Sequence, residues 1–133
     1  MTAVELRYAT LPGVLGAVAA HFWFVVWDAE GCHRWEVWQT ANAGGRSIGH
    51  VHCDLKSPDA GVGGGPMHVA RRWTGAQAAA IAKVLREAES YPHCDRYLMW
   101  PGPNSNTFVA WVLRRANVAH PLNWMAFGKR YPA

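Results

Sequence analysis

The sequence predicts a single α+β domain over residues 1–133, with an antiparallel sheet of four to five strands and two main helices. Several segments rich in β-branched or aromatic residues follow one another, with turn residues between them. Two later segments carry apolar residues at helical spacing. Half of the 133 residues are hydrophobic, so a chain of this length can bury a core without disulfides.

The first half of the chain carries the strand patterns. Residues 1–20 are expected to form an approach segment with a short helix near residues 14–20. The next segment, HFWFVVW, is dense in residues that favour strands, and RWEVWQT alternates polar and apolar residues. The predicted strands are His21–Trp27, Arg34–Thr40, Ile48–Leu55 and Met67–Trp73. A turn is predicted at Asp28–Gly31, and a Gly-rich surface loop at Pro58–Pro66.

The second half carries the helical patterns. Thr74–Ser90 is predicted as a helix, opened by a T-x-x-Q capping box and stopped by Tyr91-Pro92. A second helix is predicted to begin at Asn104 or Ser105, directly after a rigid Pro-Gly-Pro. The remaining residues, 121–133, are expected to be irregular or to form an edge strand.

Charge and cysteine content favour some partners and locations over others. The net charge is +4, but the basic residues are scattered along the chain, which argues against a nucleic-acid partner. Three cysteines without a CxxC pair suit a reducing compartment, so a cytoplasmic location is expected. The longest apolar stretch, Leu11–Trp27, is interrupted by Pro12 and His21, so no membrane span is predicted. No cofactor motif is present, and a small molecule or peptide is the expected substrate or ligand.

Ser105 stands at the first turn of an apolar helix, where free backbone N–H groups carry partial positive charge. Such a position stabilises an attacking alkoxide or the oxyanion of a tetrahedral intermediate. The competing interpretation is structural. Asn and Ser are favoured N-cap residues, and the sequence NSNT suits a cap.

His21 is the candidate general base, and Glu36 is the candidate group that orients it. If the hairpin loop is Asp28–Gly31, Trp27 pairs with Cys32, and His21 and Glu36 become diagonal neighbours on one face. A longer loop would shift the register and leave Trp38 or Thr40 as the orienting residue. The structural alternatives are a packed core histidine and an exposed strand carboxylate.

His50 and His52 form an HVH pair that shares one strand face, and both imidazoles are therefore candidate metal ligands. His68, on a predicted neighbouring strand, is a candidate third ligand. No acidic residue at a characteristic spacing completes the set, so no tight metal site is expected.

The segment GPNSNTFVAW, the upstream HFWFVVW and RWEVW arms, and the closing FGKRY resemble the family called domain of unknown function 3750. The resemblance covers about residues 18–131. A more distant similarity is to circularly permuted papain-like hydrolases and acyltransferases, such as the lecithin retinol acyltransferase-like and NlpC-like enzymes. Their nucleophile motif, Asn-Cys-Glu-His-Phe, is similar to Asn104–Phe108, with Ser105 in the place of the cysteine.

The second resemblance implies a permuted papain-like arrangement and a hydrolase or acyltransferase acting on an ester, amide or isopeptide bond. It implies Ser105 as nucleophile, His21 as base and Glu36 as the third polar residue. A serine in this place needs true general-base activation, because its pKa is far above that of a thiol. Asn104 or Asn106, with the helix N–H groups, is expected to hold the oxyanion, and an aromatic cleft is expected from Trp23, Trp100 and Trp111.

Two other functions remain open on the sequence. One is a non-catalytic module that binds a ligand or peptide in the same cleft. The other is a metal-binding domain that uses His50 and His52.

Overall fold

The computed structural model describes residues 1–133 and contains one six-stranded antiparallel sheet with two α-helices. The strands lie in the order β4-β5-β3-β2-β1-β6. The elements are β1 (Ala3–Thr10), β2 (Ala20–Asp28), β3 (Gly31–Val37), β4 (Arg46–Ile48), β5 (Val51–Cys53), β6 (His68–Thr74), α1 (Gly75–Arg86) and α2 (Ser105–Arg115), with 3₁₀ turns at Gly13–Ala17 and Ala88–Ser90. The α+β prediction is confirmed, but the sheet has six strands rather than four to five.

The two faces of the sheet are covered differently. Alternate residues of β2, including Phe22 and Phe24, face α1 and α2 and belong to the main core, as period-2 alternation requires. The intervening residues, including Trp23 and Val25, form a smaller cluster on the opposite face. No helix lies there, and the segment that contains Val62 and Met67 packs against it instead.

The β2–β3 hairpin has the predicted register. Trp27 pairs with Cys32, as expected, and Asp28 also pairs with Gly31, so the connecting loop contains only two residues. Gly31 has φ +113°, a conformation that an L side chain rarely adopts. This register decides which residues of β2 and β3 become neighbours at the site described below.

β1 corrects the prediction for the first twenty residues. Ala3–Thr10 is a central strand between β2 and β6, and a short 3₁₀ turn at Gly13–Ala17 replaces the helix expected at residues 14–20. The pattern is amphipathic, with Val4 and Leu6 fully buried. Glu5 and Arg7 bond to each other on the opposite face of the sheet.

Two further strand predictions change in detail. The segment predicted as one strand, Ile48–Leu55, is part of a tight hairpin of β4 and β5. Gly49 provides the turn with φ +59°, and its Cα lies so close to the Cys94 carbonyl that a Cβ would overlap it. The Gly-rich loop does not simply project into solvent, because Gly64 lies against the Thr10 and Leu11 backbone.

The predicted stripe of α1 is confirmed, since Ile81, Val84 and Leu85 are buried. Its predicted capping box is wrong, because the Thr74 side chain makes no cap hydrogen bond. Thr74 ends β6, and the chain turns into the helix at Gly75, whose φ is +65°. The second helix begins at Ser105, within the predicted interval.

The three cysteines are free. No helix has the length and apolar character that crossing a membrane would require. Residues 121–133 contain turns but no strand, which agrees with the irregular alternative for the C-terminal segment.

The packing of α2 generates the first testable prediction. Phe108 is fully buried between the sheet and the aromatic rings of Tyr91 and Trp111. Phe108→Ala should therefore lower the free energy of unfolding by about 3–5 kcal/mol. Val14→Ala, at a side chain that is 90 % exposed, should change it by less than about 0.5 kcal/mol. Urea unfolding with an unchanged m-value measures both, and equal losses for the two variants would contradict this packing.

Candidate active site

The hairpin brings His21 and Glu36 into direct contact. His21 Nε2 and Glu36 Oε1 are 2.7 Å apart, and both side chains are buried. The diagonal relation expected from the register is therefore present as a hydrogen bond. The exposed-carboxylate interpretation of Glu36 does not describe this site, whereas His21 is a packed histidine that also has a polar partner.

Arg34 completes the polar cluster and was not predicted as a site residue. Its Nε and Nη2 donate to the two carboxylate oxygens of Glu36 at 2.7 and 2.9 Å. Its Nη1 donates to the carbonyls of Ser57 and Ala60 at 2.8 and 2.6 Å. Both Arg34 and Glu36 are fully buried. The sequence signal was the R-x-E spacing on a strand, which places the two side chains on one face.

This environment keeps Glu36 ionised. Burial acts to raise its pKa, but the hydrogen bonds and charges of His21 and Arg34 outweigh burial and lower the pKa below its usual value. An ionised carboxylate only accepts hydrogen bonds, so Nε2 of His21 carries the proton that it donates. In neutral His21, Nδ1 is then the free acceptor, which is the form that a general base needs.

Two aromatic rings fix the His21 imidazole. Trp23 stacks on it at a centroid distance of 5.6 Å, and Trp38 contacts it edge-on at 5.1 Å. Trp23 is itself held between His21 and Arg34, whose guanidinium lies 4.0 Å from the indole centroid. Trp38 therefore contacts His21, but Glu36 rather than Trp38 orients the imidazole by a hydrogen bond.

The N-terminus of α2 is capped by Asn104 rather than by Ser105. Asn104 Oδ1 accepts from the backbone N–H groups of Asn106 and Thr107 at 2.9 and 3.3 Å. Thr107 Oγ1 accepts from the Asn104 N–H at 3.1 Å, which completes a capping box. The structural interpretation of Ser105 as the cap is therefore not what the fold contains.

Ser105 occupies the first helical position, and its hydroxyl takes no part in the cap but interacts with the Tyr97 side chain. Its backbone N–H has no acceptor among the turn and cap bonds of the chain. An unpaired N–H and a hydroxyl that the cap does not use thus occur together on a single residue at the positive end of a helix.

Asn106 is a positioning residue. Its Oδ1 accepts from the Phe22 N–H at 3.1 Å, and its Nδ2 donates to the carbonyls of Ala20 and Phe127 at 2.9 and 3.0 Å. Both amide hydrogens are used, so the side chain has no donor left for an oxyanion. This corrects the expectation for Asn106, which joins the start of α2 to β2 next to His21. The Asn104 amide donates to the Met99 carbonyl at 2.8 Å, and its oxygen is the cap.

The closing FGKRY segment, residues 127–131, also contacts the N-terminus of α2. Thr107 Oγ1 donates to the Gly128 carbonyl at 2.7 Å. Gly128 has φ +93°, and a Cβ there would overlap the Asn104 side chain. This contact explains why a glycine follows Phe127 and why segments distant in sequence form one site.

His21 and Ser105 line one cavity of about 190 Å³ at the end of the sheet. No hydrogen bond joins the two side chains, and His21 lies on the sheet face opposite the one that α2 covers. Tyr91 Oη is the only buried side-chain oxygen or nitrogen without a hydrogen-bond partner. His21 Nδ1, which has no partner in the protein, is therefore exposed to the cavity, and Ser105 lies on the wall of the same cavity. Its lining is Leu11, Pro12, Leu15, Ala19, Ala20, His21, Trp38, Gln39, Val62, Tyr97, Met99, Asn104, Ser105, Asn106 and Phe127.

Tyr97 is the second residue of this cavity that the sequence did not predict. Burial raises the pKa of its hydroxyl, and interaction with the Ser105 side chain lowers it in part. Its ring lies 5.8 Å from that of His50. The Tyr97 hydroxyl is therefore a polar group on the Ser105 side of the cavity.

The predicted aromatic cleft is wrong in its residues. Trp23 is fully buried beside His21, and Trp111 is in the core with Tyr91 and Phe108. Trp100 is 71 % exposed and packs against Phe127. None of the three lines the cavity. The prediction failed because the number of tryptophans in a sequence does not tell which rings point into the core.

The two histidines of the HVH pair are engaged in hydrogen bonds within the protein. Both ring nitrogens of His52 already have partners, the Ser47 hydroxyl at 2.8 Å and the Thr40 carbonyl at 2.9 Å. His50 Nδ1 lies 3.0 Å from the Trp38 carbonyl. His68 is on β6, at the opposite edge of the sheet from β4 and β5, so the expectation that it neighbours the pair is wrong.

The family described as "Protein of unknown function (DUF3750)" has a sequence model that matches residues 1–131. The chain belongs to the DUF3750 family. The match includes β1, so it extends beyond the residues that carried the resemblance in the sequence. Searches of the curated proteins and of the solved structures gave no match.

The buried cluster generates the second prediction. Glu36→Gln leaves the Arg34 charge unpaired and should lower the free energy of unfolding at pH 7 by about 3–5 kcal/mol. Since folding lowers the pKa of Glu36, its stabilisation is complete above the unfolded value of about 4.5 and is lost as pH falls through the folded value. The difference between wild type and Glu36→Gln should therefore shrink below about pH 4.5.

Urea unfolding at a series of pH values measures this difference, with Glu30→Gln at an exposed carboxylate as the matched control. A difference that stays constant down to acid pH would show that the Glu36 charge does not carry the effect.

Proposed function

We propose that this DUF3750 protein is a serine-nucleophile hydrolase or acyltransferase acting on an ester, amide or isopeptide bond. One observation carries the proposal. Asn104 caps α2 in place of Ser105, so Ser105 presents a hydroxyl that the cap does not use and an unpaired N–H at a helix N-terminus, in a cavity that the oriented His21 also lines. A permuted papain-like arrangement is part of the same proposal.

In the first half-reaction, a carbonyl substrate enters between Ser105 and His21. Ser105 Oγ attacks the carbonyl carbon while its proton passes to His21 Nδ1, directly or through one bound water. The new C–O bond forms as the carbonyl π electrons move to oxygen, and the Ser105 N–H donates to this oxyanion. The tetrahedral intermediate then expels the leaving group, which takes the proton from His21.

In the second half-reaction, water or another acceptor attacks the acyl-Ser105, and His21 Nδ1 takes the proton from the attacking group. Expulsion of Ser105 Oγ returns the proton to serine and releases the acid or the transferred product. Throughout both halves, Glu36 holds the Nε2–H and stabilises the imidazolium. Arg34 keeps Glu36 ionised and in place, so it acts as a positioning residue.

A non-catalytic binding module is the second candidate, and a specific observation favours it. Ser105 and His21 make no direct hydrogen bond, and nine of the fifteen residues that line the cavity are hydrophobic. In this case Ser105 and Tyr97 would bind a polar group of a ligand and His21 would only support the wall.

Labelling with a fluorophosphonate tests the enzyme directly. The reagent should modify the wild-type protein at Ser105, and labelling should vanish in Ser105→Ala and fall at least about tenfold in His21→Ala, since general-base help typically contributes 10²–10⁴-fold. Ser90→Ala, at an exposed serine far from the cavity in sequence, should label like the wild type. Mass spectrometry of the adduct is the readout.

Absence of labelling and of p-nitrophenyl ester hydrolysis in a folded wild type would contradict the enzyme and favour the binding module. Ser105→Ala should keep its melting temperature within a few degrees, because the cap belongs to Asn104 and the substitution removes only the interaction with Tyr97.

The distance between Ser105 and His21 can be probed chemically through Ser105→Cys. Cys32 is exposed and must first be replaced by serine, whereas Cys53 is buried with a pKa raised to about 11 and will react slowly. A thiol that shares its proton with His21 should alkylate with an apparent pKa below the ordinary value of about 8.5.

His21→Ala in the same background should raise that apparent pKa to about 8.5 or higher. The rate of iodoacetamide alkylation between pH 5 and pH 10 gives the curves. Identical curves with and without His21 would show that the imidazole does not reach the residue at this position.

A further inference from the structure

Seven of the ten exposed large hydrophobic residues fall in segments that border the candidate site. The set is Val14, Leu15, Val18, Leu98, Met99, Trp100 and Trp124. Leu15 and Met99 line the Ser105 cavity itself. Val14 and Trp124 are 90 % and 64 % exposed, so most of their apolar area is left in water. We call this set the apolar rim.

A second cavity adjoins the first one. It has a volume of about 360 Å³ and is lined by Trp100, Trp124, Lys129, Arg130 and neighbouring residues. Phe127 lines both cavities, and the Trp100 ring packs against Phe127 at a centroid distance of 5.7 Å. The two exposed tryptophans, Trp100 and Trp124, therefore lie on the side of the first cavity that is formed by the C-terminal segment.

The charged side chains that line the second cavity are all basic. They are Lys129 and Arg130, and no aspartate or glutamate is among the lining residues. Arg130 is exposed and forms no ion pair. Lys129 lies beside it and donates to the Leu122 and Asn123 carbonyls. A partner of this surface must therefore accept apolar side chains and carry negative charge.

We propose that the apolar rim, with Lys129 and Arg130, docks on the surface of an anionic lipid bilayer. Tryptophan rings with an apolar body and a polar N–H, together with basic side chains, are the residues that favour the boundary between headgroups and acyl chains. A single-stranded nucleic acid would also accept basic and aromatic residues. It does not explain the exposed aliphatic side chains Val14, Leu15, Val18 and Leu98, which cannot stack with bases.

The docking places both cavities at the lipid boundary, and it does not require that Ser105 be a nucleophile. Ser105→Ala protein should therefore bind vesicles as the wild type does. This separates the failure of the docking from the failure of the proposed chemistry, since each has its own readout.

Co-sedimentation with vesicles tests the proposal. The protein should bind vesicles of equal parts phosphatidylcholine and phosphatidylglycerol, bind phosphatidylcholine alone much more weakly, and be released by high salt. Trp124→Ala and Arg130→Glu should each weaken the apparent affinity about tenfold. Val69→Ala and Lys83→Glu, at exposed positions on β6 and α1, should leave it unchanged.

Circular dichroism and melting temperature identify any variant that fails to fold, and Trp124→Gln then replaces Trp124→Ala. No binding to anionic vesicles by the folded wild type would overturn the proposal. Equal loss in the rim variants and in the β6 and α1 controls would also overturn it, because the rim would not be the contact. Binding to a single-stranded oligonucleotide without binding to vesicles would instead assign the surface to nucleic acid.

Discussion

The contact of Arg34 with Glu36 is the constraint on which the sheet face opposite the two helices depends. Two buried opposite charges are costly to remove from water, and they are tolerated only when further hydrogen bonds satisfy them. The carbonyls of Ser57 and Ala60 supply these bonds to Arg34, and His21 supplies one to Glu36. The loop after β5, the charge of Glu36 and the tautomer of His21 are therefore coupled. A change in any one of them leaves a buried charge with a missing hydrogen-bond partner.

At the start of α2, the three consecutive residues Asn104, Ser105 and Asn106 have different structural roles. Asn104 satisfies the helix N-terminus, and Asn106 ties it to β2 at the residues on either side of His21. Ser105 between them has no part in the cap, and its side chain interacts only with Tyr97. An N-terminus that needed Ser105 as its cap could not offer the same hydroxyl to a ligand. The capping box with Thr107, supported from Gly128, is thus what makes the free serine compatible with a stable helix.

The hairpin and the second helix could be predicted because their signals are local. Period-2 alternation and a turn fixed the register that joins His21 to Glu36, and Pro-Gly-Pro followed by NSNT fixed the start of α2. β1 was missed because Glu5 and Arg7 are also paired with residues on other segments, Arg72 and Asp59, which local pattern does not show. The R-x-E spacing could have indicated Arg34, whereas no local pattern places Tyr97 beside Ser105. The exposure of Trp100 and the burial of Trp111 follow from tertiary packing. Amino-acid composition alone cannot tell which tryptophans are buried and which are exposed.

His21 lies on one face of the sheet, and α2, which carries Ser105, covers the other face. The two residues therefore line a common cavity only at the end of the sheet, and this limits the chemistry that the cavity could support. A thiol can transfer its proton before a substrate arrives, whereas a serine hydroxyl keeps its proton until attack begins. The absence of a resting bond between Ser105 and His21 is therefore less damaging to a serine site than to a cysteine site, provided that the substrate or one water completes the proton path. In the proposed reaction, the position of Glu36 matters most at that moment, because the imidazolium would form next to a buried carboxylate. The buried Arg34–Glu36 pair already places a negative charge at the Nε2–H, so the proposed reaction would need no reorganisation when the positive charge appears.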